Sequence, residues 1–248
     1  MKNLKRKLLK RWVRLLDALR ITRPDNFYEV PIVINNFNRL TLLQQLIAGL
    51  EQRGYHNIWV IDNHSTYPPL LEWMDTHKDL YHFVRLPQNV GHLSLFETGL
   101  YKRFYRGYYV YTDSDILLPD SVPANFVERL WAVMQRLPAM EKCGCALRIN
   151  DLPDTFAHKP QAVAWEQQFW QERIADCEEV YRGGVDTTFA LYRPMIIPYL
   201  SHSVNCRVAG ELTVTHAPWY INSQNRSEEE NYYIEHCKTS THWSGNND

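Results

Sequence analysis

From residue 30 to residue 149 short apolar runs alternate with segments of helical periodicity, and no other feature restricts the fold so strongly. Residues 30–35, 57–62, 80–86, 108–112 and 144–149 are apolar or aromatic and read as strands. Between the first two, residues 39–53 place Leu42, Leu43, Leu46, Ile47 and Leu50 at helical spacing up to Gly54. Residues 70–77, 93–104 and 123–137 repeat that pattern. Strands joined through helix-length segments need crossover connections. The expected fold class is therefore α/β, a Rossmann-like, mainly parallel sheet flanked by helices.

In such sheets a ligand lies beyond the carboxyl ends of the strands. The residues there are Asn35-Asn36-Phe37-Asn38-Arg39, Asp62-Asn63-His64-Ser65, Gln88-Asn89-Val90-Gly91-His92 and Asp113-Ser114-Asp115. They are polar, with Phe37 placed to stack on a base. On an extended chain residues two apart share a side, so Asp113 and Asp115 can present their oxygens together. Two like charges side by side call for a cation, and a hard divalent ion, Mg²⁺ or Mn²⁺, takes oxygen ligands. A lone Asp-x-Asp also suits a turn in which one carboxylate caps and the other is solvated. Four polar clusters at successive strand ends favour the site. The chain has neither G-x-G-x-x-G nor G-x-x-x-x-G-K-[ST], so dinucleotide and P-loop phosphate cradles are excluded.

The net charge of −1 carries no footprint for nucleic acid. Residues 1–20 nevertheless hold eight Lys/Arg against one acid, Asp17. Leu4, Leu8, Leu9, Trp12, Val13, Leu15, Leu16 and Leu19 recur there at helical spacing. A cationic amphipathic helix of this kind suits an anionic membrane surface, or an apolar stripe packed on the chain's own core or on a second subunit. No apolar run is long enough to span a bilayer. The five cysteines show no C-x-x-C spacing and read as reduced thiols of a cytosolic protein.

The ordered motifs resemble the nucleotide-binding half of GT-A-fold glycosyltransferases of the family 2-like group. Residues 31–39, Pro-Ile-Val-Ile-Asn-Asn-Phe-Asn-Arg, look like that group's opening strand and T-x-Y-N-R turn. Residues 60–66 look like its V-D-D-x-S-x-D segment, Asn89-Val90-Gly91 like its N-x-G turn, and Asp113-Ser114-Asp115 like its D-x-D. The likeness covers residues 30–120. It implies a nucleotide-sugar donor, most simply a UDP-sugar, with Asn35, Phe37 and Asp62 at the base and ribose and Asn89 and His92 beside them. Asp113 and Asp115 would hold the ribose and a Mn²⁺ or Mg²⁺ on the diphosphate. His216, after the strand of residues 212–215, would be a third metal ligand.

The second half departs from the group's pattern, since its E-D pair is missing. In that region stands Gly183-Gly184-Val185-Asp186, and Asp186 is the candidate base on the acceptor hydroxyl, with Glu211 a weaker alternative. His158 and residues 165–170 fall where the group binds acceptors, and Trp219 and Tyr220 are candidates for a sugar platform. The expected organisation is a basic helix (1–24), one transferase domain (25–237, with a nucleotide-sugar half to 120 and an acceptor half from 121) and a polar tail (238–248). The resemblance implies transfer to a glycan or lipid-linked acceptor in assembly of a bacterial-type surface polysaccharide or lipid-linked oligosaccharide, and the basic helix would hold the enzyme peripherally on the cytoplasmic face of the cell membrane. A nucleotidyltransferase and a non-catalytic binding protein with a decayed transferase fold are the alternatives.

Overall fold

The structure, a computed structural model, describes residues 8, 11, 12, 15–17, 19, 21–175, 177–185, 187–195 and 204–237. Asp186 and the tail 238–248 lie outside the described residues.

The first strands and helices alternate as their periodicity requires: β1 (Ile32–Asn36), α1 (Thr41–Glu51), β2 (Ile58–Asp62), α2 (Pro68–Thr76), β3 (His82–Arg85), α3 (Ser94–Glu97) and β4 (Tyr109–Asp113). Then come β5 (Ile116–Leu117), α4 (Phe126–Arg136), β6 (Lys142–Leu147), α5 (Lys159–Gln167), β7 (Val180–Arg182), β8 (Ala190–Tyr192), β9 (Asn205–His216) and α6 (Glu228–His236). The sheet order is β3-β2-β1-β4-β8-β6-β9-β5, with β7 on β9. The strands β3, β2, β1 and β4 are mutually parallel. β8 lies antiparallel between β4 and β6, and β9 runs parallel to β6. The fold is thus the expected mixed α/β sheet, parallel throughout its first half.

The strands at the centre are buried on both faces, as parallel sheets covered by helices must be. Along β1, Ile32 and Ile34 join the larger core with Leu43, Leu46, Leu50, Phe126 and Leu130 of α1 and α4. Val33 points the other way, with Ile61, Leu95, Tyr109 and Tyr111. This period of two aims alternate side chains at opposite layers. Each fully buried Leu or Ile contributes roughly 1.5–3 kcal/mol relative to exposure.

Residues 93–104, expected as one helix, form α3 and a separate 3₁₀ turn (Leu100–Arg103). Gly99 between them sits at φ +76°, a left-handed conformation that ends a helix and favours glycine.

The start of α1 has no side-chain cap of its own. Its amides at Leu40 and Thr41 donate instead to the carboxylate of Glu229 on α6, at 2.9–3.1 Å, and the Thr41 hydroxyl adds a 2.8 Å bond. The anion meets the positive end of the helix dipole. α6 is itself started by Ser227, whose Oγ accepts from the Glu230 amide at 3.2 Å. The C-terminal helix is thereby tied to the turn that follows β1.

Candidate functional site

A cavity of about 530 Å³ opens at the carboxyl ends of β1 and β4. Asn35, Phe37, His92, Asp113, Asp115 and His216, all expected at the site, line it. Its other wall brings His158, Trp165 and Trp219 into the same space, and α6 adds Glu230 and Tyr233.

Register explains the convergence. β1 and β4 pair Asn35 with Asp113, and the Asn35 side-chain amide donates to Asp113 Oδ1 at 3.1 Å. Ser94 Oγ donates to Asn35 Oδ1 at 2.7 Å, which fixes the amide's orientation. The Thr187 hydroxyl donates to Asp113 Oδ2, and the Asp113 amide donates to the Thr187 carbonyl at 3.0 Å. Asp113 is thus held on both oxygens.

Asp115 turns to different partners. Arg39 Nη1 lies 2.7 Å from its Oδ2, and Arg39 Nη2 lies 3.1 Å from Glu230 Oε1. The Arg39 guanidinium stacks 3.8 Å above the Tyr233 ring. Because Ile116 pairs with His216 between β5 and β9, the His216 Nε2 comes within 3.8 Å of Asp115 Oδ2. Burial pushes the His216 pKa down, against the opposing pull of Asp115, and so favours the neutral imidazole. Burial likewise raises the Glu230 carboxyl, with Arg39 opposing.

Asp115 and His216 are the two candidate metal ligands that meet at this corner. A carboxylate and a neutral imidazole 3.8 Å apart can be ligands of one ion. His216 Nδ1 is buried without a hydrogen-bond partner. Asp113 stands two residues before Asp115, engaged by Asn35 and Thr187, and Arg39 supplies the positive charge at Asp115. No group of three or more His, Cys, Asp or Glu side chains placed to hold a metal occurs among the described residues.

Asp62 and Asn89 fall outside the cavity lining. Asp62 is fully buried, and its Oδ1 accepts from the Ser65 amide at 3.2 Å while Arg85 Nε lies 3.5 Å from Oδ2. Asn89 makes a turn, its Oδ1 accepting from the Gly91 amide at 2.8 Å. Glu211 is exposed and pairs with Arg129. The Tyr220 hydroxyl donates to Asp151.

Among the lining residues to which sequence reasoning gave no role are Glu230, Tyr233, Glu166 and Arg207. Glu230 and Tyr233 were signalled only by the Ser227-x-x-Glu230 capping pattern. Glu166 and Arg207 form a buried ion pair in the far wall. Burial, only partly offset by Arg207, pushes the Glu166 carboxyl up to about 7.

The family model for glycosyl transferase family 2 matches residues 32–199. A crystal structure of GalNAc-T7 with UDP, GalNAc and Mn²⁺ superposes with a TM-score of 0.52 at 13% identity, covering 78% of this chain and 44% of that one. A structure of S. aureus TarS has a TM-score of 0.37 at 14% identity, covering 51% of this chain and 39% of that one. This chain thus spans less than half the length of either. No curated protein matches the sequence.

Proposed function

The chain belongs to glycosyl transferase family 2, and on that premise we propose that it moves a sugar from a nucleoside-diphosphate donor, a UDP-sugar, to a hydroxyl of a glycan or lipid-linked acceptor. The observation that carries the reading is the shared cavity of Asn35, Phe37, Asp113, Asp115 and His216 at the strand ends. Its volume of about 530 Å³ suits a small-molecule ligand.

In this reading Phe37 stacks on the base while Asp113, oriented by Asn35 and Thr187, accepts a ribose hydroxyl. Asp115 and His216 would hold Mn²⁺ or Mg²⁺, and the Mn²⁺ in the GalNAc-T7 structure supports such an ion. The ion, when bound, supplies positive charge against that developing on the departing diphosphate. Arg39 balances Asp115 and Glu230, and so holds α6 at the cavity rim. Trp165, half exposed at the cavity, offers an apolar face to a sugar ring, whereas Trp219 is buried in the core beneath it and fills space there.

Two carboxylates are candidates to deprotonate the acceptor hydroxyl. Asp186 is one by its place after Gly183-Gly184, and Glu166 is the other by its place in the cavity wall. A carboxyl near 7 is in the range a general base needs. The reading extends to work at the cytoplasmic face of an anionic membrane through residues 1–20. Among the described residues no helix is long and apolar enough to cross a membrane.

A panel of UDP- and GDP-sugars, and in parallel nucleoside triphosphates with sugar phosphates, all with Mn²⁺ and comparing the parent chain with Asp115→Asn, tests the assignment. Metal-dependent sugar release that the substitution abolishes supports transfer. Nucleotide binding without turnover indicates a decayed fold, and pyrophosphate formation from a nucleoside triphosphate indicates a nucleotidyltransferase.

A further inference from the structure

The segment before the domain, helical at its described residues 8, 11, 12 and 15–17, is fastened to the domain by Asp17, the one acid in the sequence of residues 1–20. Asp17 is 1% exposed and forms an ion pair with Arg193, itself 1% exposed. It also accepts from the Tyr108 hydroxyl, from Gln135 Nε2 at 3.0 Å and from the Thr22 hydroxyl at 2.6 Å. Tyr108 immediately precedes β4, and Arg193 immediately follows β8, its antiparallel neighbour. The latch therefore grips the amino end of β4, five residues before Asp113, or about 16 Å along the strand.

The same attachment turns apolar side chains outward. Leu8, Trp12, Leu15 and Leu19 follow one another at intervals of four, three and four residues, which is a single helical face. They are 51%, 61%, 51% and 62% exposed, and Ile21 beyond them is 65% exposed. A helix that packed its stripe on its own core would bury these residues, as α1 buries Leu43, Leu46 and Leu50. The charge of the segment completes the pattern. Its sequence holds eight Lys/Arg, and its one carboxylate is consumed by the buried pair with Arg193, so no acid of residues 1–20 opposes the basic excess.

We infer that Leu8, Trp12, Leu15, Leu19 and Ile21 form a docking face for an anionic lipid bilayer. The Asp17 latch, we further infer, seats the domain with the amino ends of its parallel strands toward the lipid and the catalytic cavity at the far end. This deepens, and rests on, the membrane-surface reading of residues 1–20. An apolar row enters the headgroup and acyl boundary while basic residues meet anionic headgroups, which is the chemistry of an interfacial helix.

The test uses the full chain and vesicles of phosphatidylcholine with or without phosphatidylglycerol. Co-sedimentation with the anionic vesicles, weakened by salt, is expected. Leu15→Glu and Leu19→Glu should each lower the partition coefficient about tenfold or more, from the lost burial of one leucine, while Mn²⁺-dependent sugar release in solution stays unchanged. If the parent chain does not sediment with either vesicle, the membrane reading itself fails. If it sediments and both Glu variants sediment equally well, that reading survives as a purely electrostatic contact and the docking face is overturned.

Orientation is read from nitroxide labels in a Cys237→Ser background. A label at Leu15→Cys should become accessible to lipid-soluble oxygen on vesicles. A label at Gln224→Cys, exposed between the cavity residues Ser223 and Arg226, should stay accessible to a water-soluble nickel chelate. A lipid-buried label at Gln224→Cys overturns the orientation.

Discussion

The cap that Glu229 supplies to α1 is the contact through which the C-terminal helix is fixed at the site. Glu229→Ala removes acceptors from the Leu40 amide, the Thr41 amide and the Thr41 hydroxyl together. Loss of an N-terminal cap costs about 1 kcal/mol, and loss of an anion at the helix dipole adds roughly 0.3–1 kcal/mol. These contacts are largely exposed, so the total should be about 1–2 kcal/mol. For a chain of this size that lowers Tm by about 2–8 °C. Glu229→Gln, which keeps one acceptor oxygen and loses the charge, should fall between the parent and the alanine variant. Thermal unfolding followed by circular dichroism measures both. With the cap gone, Glu230 and Tyr233 lose an anchor, so the Michaelis constant for the donor should rise more than kcat falls. An alanine variant as stable as the parent, with an unchanged Michaelis constant, would refute the idea that α6 is held over the cavity by this cap.

Arg39→Ala leaves Asp115 and Glu230 facing each other without their cation, and its side chain is only 5% exposed. The expected loss is about 3 kcal/mol, read as a lowered urea midpoint, and an unchanged midpoint would contradict the pairing. Glu166 predicts a pH dependence. Its folded carboxyl is raised from 4.5 to about 7, so the folded state holds the extra proton between those values. Its contribution to stability is fully present below about pH 4.5, declines as pH rises to about 7, and is constant above. The whole span is worth about 3 kcal/mol at most. Glu166→Gln should flatten that slope in urea midpoints taken across the range, and an identical slope in parent and variant would remove the assignment.

Much of the first half of the fold is legible because its strands are two-sided and apolar. Ile32, Val33 and Ile34 have to be buried on both faces, and Leu43, Leu46 and Leu50 define the stripe that covers one of them. The second half is less legible. β8 is three residues long, and its place between β4 and β6 is set by pairing with distant strands rather than by local preference. The break at Gly99 was visible only as a glycine inside a helical pattern.

At the site, sequence position identifies which side chains stand at strand ends but not where they turn. Asp113 and Asp115 share a motif, yet the first, at the end of β4, turns to Asn35 and Thr187, and the second, in the turn before β5, to Arg39. Asp62 stands at an equivalent strand end and points inward to Ser65. Glu230 and Tyr233 reach the cavity from a helix nearly two hundred residues beyond Arg39, and such a contact leaves no local signal.

The central claim is that Asp115 and His216 hold a divalent ion under a nucleoside diphosphate. Calorimetric titration of UDP into the full chain, with Mn²⁺ and then with the metal chelated, tests it most directly. The account predicts binding that needs Mn²⁺ and weakens at least tenfold in Asp115→Asn. UDP affinity indifferent to chelation and to that substitution would contradict it.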